Sequence, residues 1–89
     1  MGNNVDNLVL MANQIGDFFE TMNNRKQSLE EISSHLKRFW EPRMRLALMR
    51  HVEEHGGAGL KDIVLDSVRL HKDSLLSGVA AVPDVRGAP

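Results

Sequence analysis

The sequence contains no cysteine, and this absence excludes disulfides and thiolate-bound metals as sources of stability. Tyrosine is also absent, and tryptophan occurs once. No apolar run approaches the roughly 20 residues that are needed to span a bilayer. The formal net charge is −1 over 89 residues, so the overall charge gives no argument for nucleic acid or an anionic membrane as a partner. A chain of this length must therefore obtain its stability from one small core.

The start of the chain carries no recognisable targeting signal. It reads Met-Gly-Asn-Asn-Val-Asp, which lacks the basic segment and apolar stretch of a secretory signal. It also departs from the myristoylation pattern, because Asp6 stands where serine or threonine is required. We therefore expect a small protein of the cytoplasm that has no membrane partner.

Apolar residues recur every three or four positions along most of the chain, which is the period of an α-helix. The pattern predicts an all-α fold, a small bundle of about four short helices in a single domain over residues 1–77. The last segment, "GVAAVPDVRGAP", has no such period and contains two prolines. We expect these residues, 78–89, to form a disordered tail.

Local signals predict where the first two helices meet. The first helix is expected to end at Asn23-Asn24, because asparagine suits helix caps and turns. Ser28 and Glu31 have the spacing of a capping box, in which each side chain satisfies a backbone amide of the other residue. The second helix is therefore expected to begin at Ser28.

Proline and glycine predict the later boundaries. Pro42 disfavours helical geometry at the preceding residue and suits the first position of a new helix, so we expect a corner at Trp40-Glu41. The third helix is expected to end at Gly56-Gly57, because glycine adopts the left-handed cap conformation. The fourth is expected to begin near Gly59-Leu60 and to end between Leu70 and Ser77.

The stretch "FWEPRMRLALMR", residues 39–50, carries more charge than a core helix needs and more apolar surface than a solvated helix needs. On a helical wheel at about 100° per residue, the predicted core face of the third helix comprises Met44, Ala47, Leu48 and Val52. Leu46 and Met49 point away from that face, between arginines on both edges. Methionine, arginine and aromatics are enriched at protein interfaces. We therefore predict a partner-binding surface formed by Trp40, Arg43, Arg45, Leu46, Met49 and Arg50.

Two other interpretations of this stretch stay open. Residues 37–50 contain one acid, Glu41, against five bases: Lys37, Arg38, Arg43, Arg45 and Arg50. Such a cluster also suits the phosphates of a nucleic acid, although no helix-turn-helix pattern accompanies it. A solvated basic face beside a core aromatic is the remaining interpretation. We favour the partner surface on its interface composition.

The sequence offers little for catalysis or metal binding. His51, Glu54 and His55 match the H-x-x-E-H pattern of inverted zinc proteases, but two glycines end the helix directly afterwards and no glutamate follows to act as a third ligand. The segment "GGAGLK" lacks the spacing of a phosphate-binding loop and follows a helix rather than a strand. We therefore predict no catalytic, cofactor-binding or metal-binding residues.

Three segments together resemble a known family. They are "LVLMANQIGDFF" (8–19), "HLKRFWEPRMR" (35–45) and "GGAGL" (56–60). In this order and spacing they are similar to the small delta subunit of cytoplasmic NAD-dependent, molybdenum-containing formate dehydrogenases. The resemblance covers about residues 7 to 70, which is most of the part that we expect to be ordered.

The resemblance implies a non-catalytic accessory subunit that has no cofactor of its own. In such complexes the alpha subunit carries a bis-pterin guanine dinucleotide molybdenum centre and iron–sulfur clusters, while beta and gamma subunits pass electrons through flavin to NAD. The resemblance further implies that the delta subunit binds the alpha subunit and supports its assembly, stability or cofactor loading. We therefore expect the alpha subunit, rather than nucleic acid, as the partner.

Alternatives of other classes stay open at this point. A transient assembly or cofactor-loading chaperone would act on the apo-enzyme and then leave it. A small nucleic-acid binder would be retained on heparin in a manner that falls steeply with salt. The isolated chain is also expected to be able to form a homodimer, because an exposed apolar strip favours self-association.

Overall fold

A computed structural model of the chain describes residues 3–77, with side chains from residue 5 onward. Its five helices are α1 Asn3–Phe19, α2 Arg25–Phe39, α3 Pro42–His55, α4 Asp62–Leu70 and α5 Lys72–Leu76. No strand occurs among the described residues, and the predicted all-α bundle is confirmed. The tail predicted over 78–89 lies outside the described residues, and the single domain over 1–77 stays a prediction.

The five helices share one apolar core. α1 packs against α2, α3 and α4, and α2 also packs against α4 and α5. α3 lies at one side of the bundle, where its main neighbours are α1 and α5. The buried apolar side chains are Leu8, Ala12, Ile32, Leu36, Trp40, Leu48, Met49, Val52, Leu60, Ile63, Val64, Val68 and Leu75. Because α3 has neighbours on one side only, much of its surface is left to solvent.

The junction of α1 and α2 differs from its prediction. α1 ends at Phe19 and α2 begins at Arg25, with Asn24 as the N-cap. The side-chain oxygen of Asn24 accepts a hydrogen bond from the backbone N–H of Gln27 at 3.1 Å. Ser28 is buried, and its hydroxyl donates to the carbonyl oxygen of Phe19 at 2.8 Å. The predicted start at Ser28 is wrong because that hydroxyl ties α2 to the end of α1 instead of capping α2.

The predicted corner and glycine cap are confirmed. α2 ends at Phe39 and α3 begins at Pro42, so the turn lies at Trp40-Glu41. α3 ends at His55, and Gly56 follows in the left-handed conformation with φ 66°. α4 starts later than predicted, at Asp62, because Gly59 also has a positive φ and the turn extends to Lys61.

Small side chains let α4 approach α1 and α2 closely. A Cβ atom on Gly16 of α1 would lie 2.5 Å from the Cγ2 atom of Val64, which is closer than real Cβ contacts. Ser67 of α4 is fully buried, and its hydroxyl donates to the carbonyl oxygen of Leu29 in α2 at 2.6 Å. Neither contact has room for a larger residue, so these positions fix where α4 lies on the bundle.

The side-chain amide of Asn13 joins α1 to the turn before α4. Its Nδ2 atom donates to the carbonyl oxygen of Gly59 at 2.9 Å, and its Oδ1 atom accepts from the backbone N–H of Lys61 at 2.9 Å. Both backbone groups lie beyond the end of α3 and before the start of α4, where no helical partner is available. Asn13 therefore connects the first helix of the chain to the turn that follows α3.

Candidate partner-binding surface

The buried face of α3 is rotated from its predicted position. Its buried residues are Arg45, Leu48, Met49 and Val52, which follow the helical spacing of three and four. Leu48 and Val52 were expected there. Met44 and Ala47 were expected there too, and they are half-buried and pack against the core. The prediction that Arg45 and Met49 lie outside the core face is wrong. The buried face of α3 is difficult to predict from the sequence because it includes Arg45, and an arginine is rarely found at a core position.

Arg45 uses its guanidinium inside the protein. The side chain is 6% exposed, and its Nη1 atom donates to the carbonyl oxygen of Leu75 at 3.0 Å. Leu75 lies in the last turn of α5, where a positive charge and an N–H donor are both favourable. The Nε atom is buried and has no hydrogen-bond partner among the described residues. Arg45 thus holds α5 against α3.

The aromatic pair before Pro42 has the opposite arrangement from the predicted one. Trp40, expected to anchor the outer surface, is 6% exposed and belongs to the core. Phe39 follows Leu29, Ile32 and Leu36 at helical spacing, which predicts that it lies in the core, but it is 66% exposed. A residue at the C-cap leaves the helical path, so a wheel does not predict the direction of its side chain. Trp40 therefore supports the corner from within.

The other half of the predicted surface lines a groove between α3 and the start of α1. This α1–α3 groove has a volume of about 550 Å³. It is lined by Val5, Arg43, Leu46, Ala47, Arg50, His51, Glu54 and His55. Three of the six predicted partner-binding residues, Arg43, Leu46 and Arg50, thus come together there. Trp40, Arg45 and Met49 lie beneath α3 instead.

The α1–α3 groove has an apolar floor and a basic rim. Half-buried Val5, Leu46 and Ala47 supply the apolar surface. Arg43 and Arg50 are exposed and form no salt bridge with any described residue. The chemistry of this surface suits apolar groups along its length and carboxylates at its edge, because a planar guanidinium can pair with a carboxylate through two hydrogen bonds.

His51 and His55, which line the groove, make contacts within the chain. A ring nitrogen of His51, Nε2, lies 2.7 Å from the carbonyl oxygen of Ala58; this pairing requires the nitrogen to carry a proton. The rings of His51 and His55 are 5.7 Å apart between centroids. Among the side chains that the structure describes, no three His, Cys, Asp or Glu residues are grouped to hold a metal ion. His51 instead fixes the turn that carries Ala58.

Sequence reasoning missed part of the groove. Ala47 was assigned to the core, and His51, Glu54 and His55 were considered only as a metal pattern. The signal that identifies them is their spacing from Arg43, because positions 43, 47, 50 and 54 follow one another at intervals of four, three and four. Val5 precedes Leu8 and Ala12 at helical spacing, which predicts a core position in α1, but it is half-buried where it borders the groove. No local signal places Val5 beside α3.

A second exposed feature, on α1 and α2, is aromatic. Phe18, Phe19, His35 and Phe39 form a series in which the ring centroids are 4.9, 6.0 and 4.7 Å apart. Phe18 and Phe39 are the most exposed large apolar residues of the described chain. Arg38 covers one face of Phe39 at 5.8 Å from the ring centroid. We take the α1–α3 groove as the candidate site because it combines a recess with charged side chains at its rim.

Comparisons with known proteins give one positive finding. A family model described as NADH-dependent formate dehydrogenase delta subunit FdsD matches residues 7–68. The match runs from α1 into α4, so it includes Asn13, the whole of α3 and the glycine-rich turn. Comparison with curated proteins finds no match, and comparison with solved structures finds none either. In addition, no helix within residues 3–77 is long and apolar enough to cross a membrane.

Proposed function

Because the chain belongs to the NADH-dependent formate dehydrogenase delta subunit family, we propose that it is a non-catalytic accessory subunit of a cytoplasmic, molybdenum-containing formate dehydrogenase. In this role it binds the molybdenum-bearing alpha subunit and supports that subunit's assembly or stability. Formate oxidation and NAD reduction then belong to the other subunits. The family membership supports a role in such a complex, and the α1–α3 groove suggests where the contact is made.

The observation that carries the proposal is the outer face of α3. Arg43 and Arg50 are exposed and form no salt bridge within the described residues, and Leu46 lies between them in the sequence as part of the apolar floor. Arginine and apolar residues together are typical of interface centres, whereas an isolated helix face of a small protein is usually polar throughout. We propose that these three residues contact the alpha subunit directly.

The remaining three predicted residues support α3 from its buried side. Trp40, Arg45 and Met49 are buried, so they hold α3 in place rather than present atoms to the partner. Truncating any of them is expected to weaken binding only through the stability of the bundle. The proposal therefore separates contact residues from supporting residues within one helix and its preceding corner.

The test is recovery of the complex from the native host. The chain carries an affinity tag at its C-terminus, because Val5 at the other end lines the groove. The expected result is stoichiometric recovery of a formate dehydrogenase, identified by mass spectrometry, together with its molybdenum. Recovery of the chain alone, or with nucleic acid that is lost at moderate salt, contradicts the proposal.

A strain that lacks the chain distinguishes a permanent subunit from a transient chaperone. A permanent subunit that stabilises the complex leaves less assembled enzyme when it is absent, and it co-purifies when it is present. A chaperone leaves an alpha subunit without molybdenum when it is absent, and it does not co-purify with the mature enzyme. The ratio of molybdenum to alpha subunit in the two strains, read beside co-purification, decides between them.

A further inference from the structure

We propose that the α1–α3 groove seats an acidic amphipathic helix of the partner subunit. Two carboxylates of that helix, seven residues apart, pair with Arg43 and Arg50, and apolar side chains between them lie over Leu46 and Ala47. The inference rests on the proposed function, because it names the chemistry of the segment that this chain binds. It is argued from the charge, the spacing and the floor of the groove.

The charge of the groove indicates that the bound helix is acidic. Arg25, Lys61 and Lys72 have acidic partners within the described chain, whereas four surface bases outside the groove have none there: Lys26, Lys37, Arg38 and Arg69. The groove combines two arginines without such partners and two histidines with a single acid, Glu54. An occupant with carboxylates on its rim completes these pairs, and a basic occupant is repelled.

The spacing of the arginines defines the secondary structure of the occupant. Arg43 and Arg50 are seven residues apart on α3, which places them on nearly the same side of the helix, about 10 Å apart along its axis. A second helix lying along α3 repeats this distance when its carboxylates are also seven residues apart. An extended strand presents same-side residues at intervals of about 6.7 or 13 Å, which match the separation of the two arginines less closely than a helix does.

The floor of the groove defines the centre of the occupant. Leu46 and Ala47 lie between the two arginines in sequence, and both are half-buried. The small side chain of Ala47 leaves room above it, and Val5 from α1 closes one side. A partner helix fills this space with apolar residues at the third and fourth positions after its first carboxylate, as in other helix-in-groove complexes.

A second copy of this chain does not supply the required helix. Asp66 and Asp73 are the one pair of acids seven residues apart in the sequence. They lie on different helices, because α4 ends at Leu70 and α5 begins at Lys72. Asp66 is also paired with Arg25. The occupant is therefore a segment of another protein.

Nucleic acid fits the groove less well than a carboxylate-bearing helix. Phosphates bind rows of basic residues, whereas here Leu46 and Ala47 separate the arginines and Glu54 lies on the same rim. An apolar floor gives a phosphate backbone nothing to contact, and an acid on the rim repels it. The groove thus favours a protein partner.

The first experiment maps the occupant by photo-crosslinking within the assembled complex. Leu46 is replaced by p-benzoylphenylalanine in the full chain, and Leu70 carries the same replacement as a control, because it is exposed on α4 outside the groove. The expected result is that Leu46 crosslinks to a helix of the alpha subunit that has two acids seven residues apart. Leu70 is expected not to reach that helix.

The second experiment tests the charge pairing. The double variant Arg43→Glu/Arg50→Glu is expected to bind the alpha subunit roughly 100-fold more weakly, because each reversal replaces an attraction by a repulsion. The control Lys26→Glu/Arg69→Glu changes the net charge equally on α2 and α4 and is expected to bind as the wild type does. Replacing the two mapped acids of the partner with lysine is expected to restore binding of the groove variant.

The outcomes separate this inference from the function on which it rests. If the wild-type chain forms no complex with a formate dehydrogenase, the proposed function and the inference both fail. If the complex forms but Leu46 crosslinks to a segment without the paired acids, or to another copy of the chain, the inference alone is overturned. It is also overturned if the groove variant and its control bind equally well.

Discussion

Arginines on a single helix, α3, illustrate how position determines the role of a residue. Arg45 is buried and donates to the carbonyl oxygen of Leu75, whereas Arg43 and Arg50 are exposed at the rim of the groove. The aliphatic stem of arginine packs like an apolar side chain, and its guanidinium still needs hydrogen-bond acceptors. Stability is therefore expected to depend on Arg45, and partner binding on the other two.

The contrast gives a prediction for two alanine variants. Arg45→Ala is expected to lower the free energy of unfolding by about 2–4 kcal/mol, because it removes core packing and leaves the carbonyl of Leu75 without its donor. Arg43→Ala is expected to change it by less than about 0.5 kcal/mol while weakening partner binding. Urea unfolding followed by the fluorescence of Trp40 measures both. Equal losses for the two variants would contradict the different roles that we assign to Arg45 and Arg43.

Gly16→Ala is expected to change the free energy of unfolding in the direction opposite to the usual effect of this substitution in a helix. Within a helix, glycine to alanine usually raises stability by roughly 0.5–1 kcal/mol. Here Gly16→Ala is expected to lower the free energy of unfolding by about 1–3 kcal/mol, because the new Cβ overlaps Val64, a short and fully buried side chain. Thermal unfolding measures the difference.

Gly56→Ala is the control for Gly16→Ala, because a Cβ atom at Gly56 would have open space around it. No atom lies within 4 Å of a Cβ at Gly56, but its φ of 66° disfavours alanine. The expected loss is about 1–2 kcal/mol and comes from the backbone alone. A more stable Gly16→Ala variant would mean that α1 and α4 are farther apart than described.

Helix boundaries show which elements the sequence predicts and which it does not. The corner before Pro42 and the cap at Gly56 are confirmed because a fixed φ and a left-handed residue act on their own neighbours. The start of α2 is not predicted, because Asn24 and Ser28 both suit an N-cap and lie about one turn apart. The Ser28 hydroxyl donates to the carbonyl oxygen of Phe19, which leaves Asn24 as the N-cap. The local sequence gives no sign of this contact between two helices.

The candidate surface was predicted only in part, because the sequence reveals local patterns but not tertiary contacts. The common position of Arg43, Leu46 and Arg50 on the outer face of α3 follows from residue types at helical spacing, which reveal an amphipathic pattern, and their contact with a partner stays a prediction. Arg45 and Met49 were placed on the wrong side because a wheel gives relative directions but not the direction of the core. The partner of Arg45 is a carbonyl 30 positions away in the chain. Only the packing of α5 against α3 reveals that contact.

At the scale of elements, Asn13 is expected to control the turn between α3 and α4. Asn13→Ala is expected to lower the free energy of unfolding by about 1–3 kcal/mol, because it leaves the carbonyl of Gly59 and the N–H of Lys61 without partners. Hydrogen exchange at the Lys61 amide is expected to become faster in the same variant. Gln14→Ala, at an exposed position of the same helix, serves as the control and is expected to change neither quantity. Unchanged exchange in the Asn13 variant would contradict the assignment.

Across the whole molecule, ion pairs link the helices at the surface. Lys61, which precedes α4, contacts Asp17 in the last turn of α1 and Glu20 directly after that helix. Hydrogen bonds from Lys61, to Asp17 first and to Glu20 second, raise the pKa of its ammonium group above the ordinary 10.5. The pKa of Lys72 is raised in the same way by its hydrogen bond to Glu53. All these groups are partly exposed, so salt is expected to weaken the links.

The raised pKa of Lys61 predicts how stability depends on pH. Folding favours the protonated form, so its contribution is complete below the ordinary pKa of 10.5 and is lost as the pH rises through the higher folded value. The unfolding temperature of Lys61→Met is expected to lie below that of the wild type at neutral pH, and the gap is expected to close above pH 10.5. Lys26→Met, which removes an exposed lysine of α2, is the control and is expected to show no such closing gap. A gap that persists at high pH would indicate a cause other than charge.

The link between Asn13 and the turn before α4 also has a consequence for biosynthesis. Gly59 follows Asn13 by 46 positions, and ribosomes add roughly 5–20 residues per second, so the partner of Asn13 emerges a few seconds after it. Until then, the side of α1 that receives α4 has nothing of its own chain to cover it. Translation pauses within this interval prolong the exposure of that side to other nascent chains. We therefore expect the yield of this protein to depend on the speed of synthesis as well as on the stability of the finished bundle.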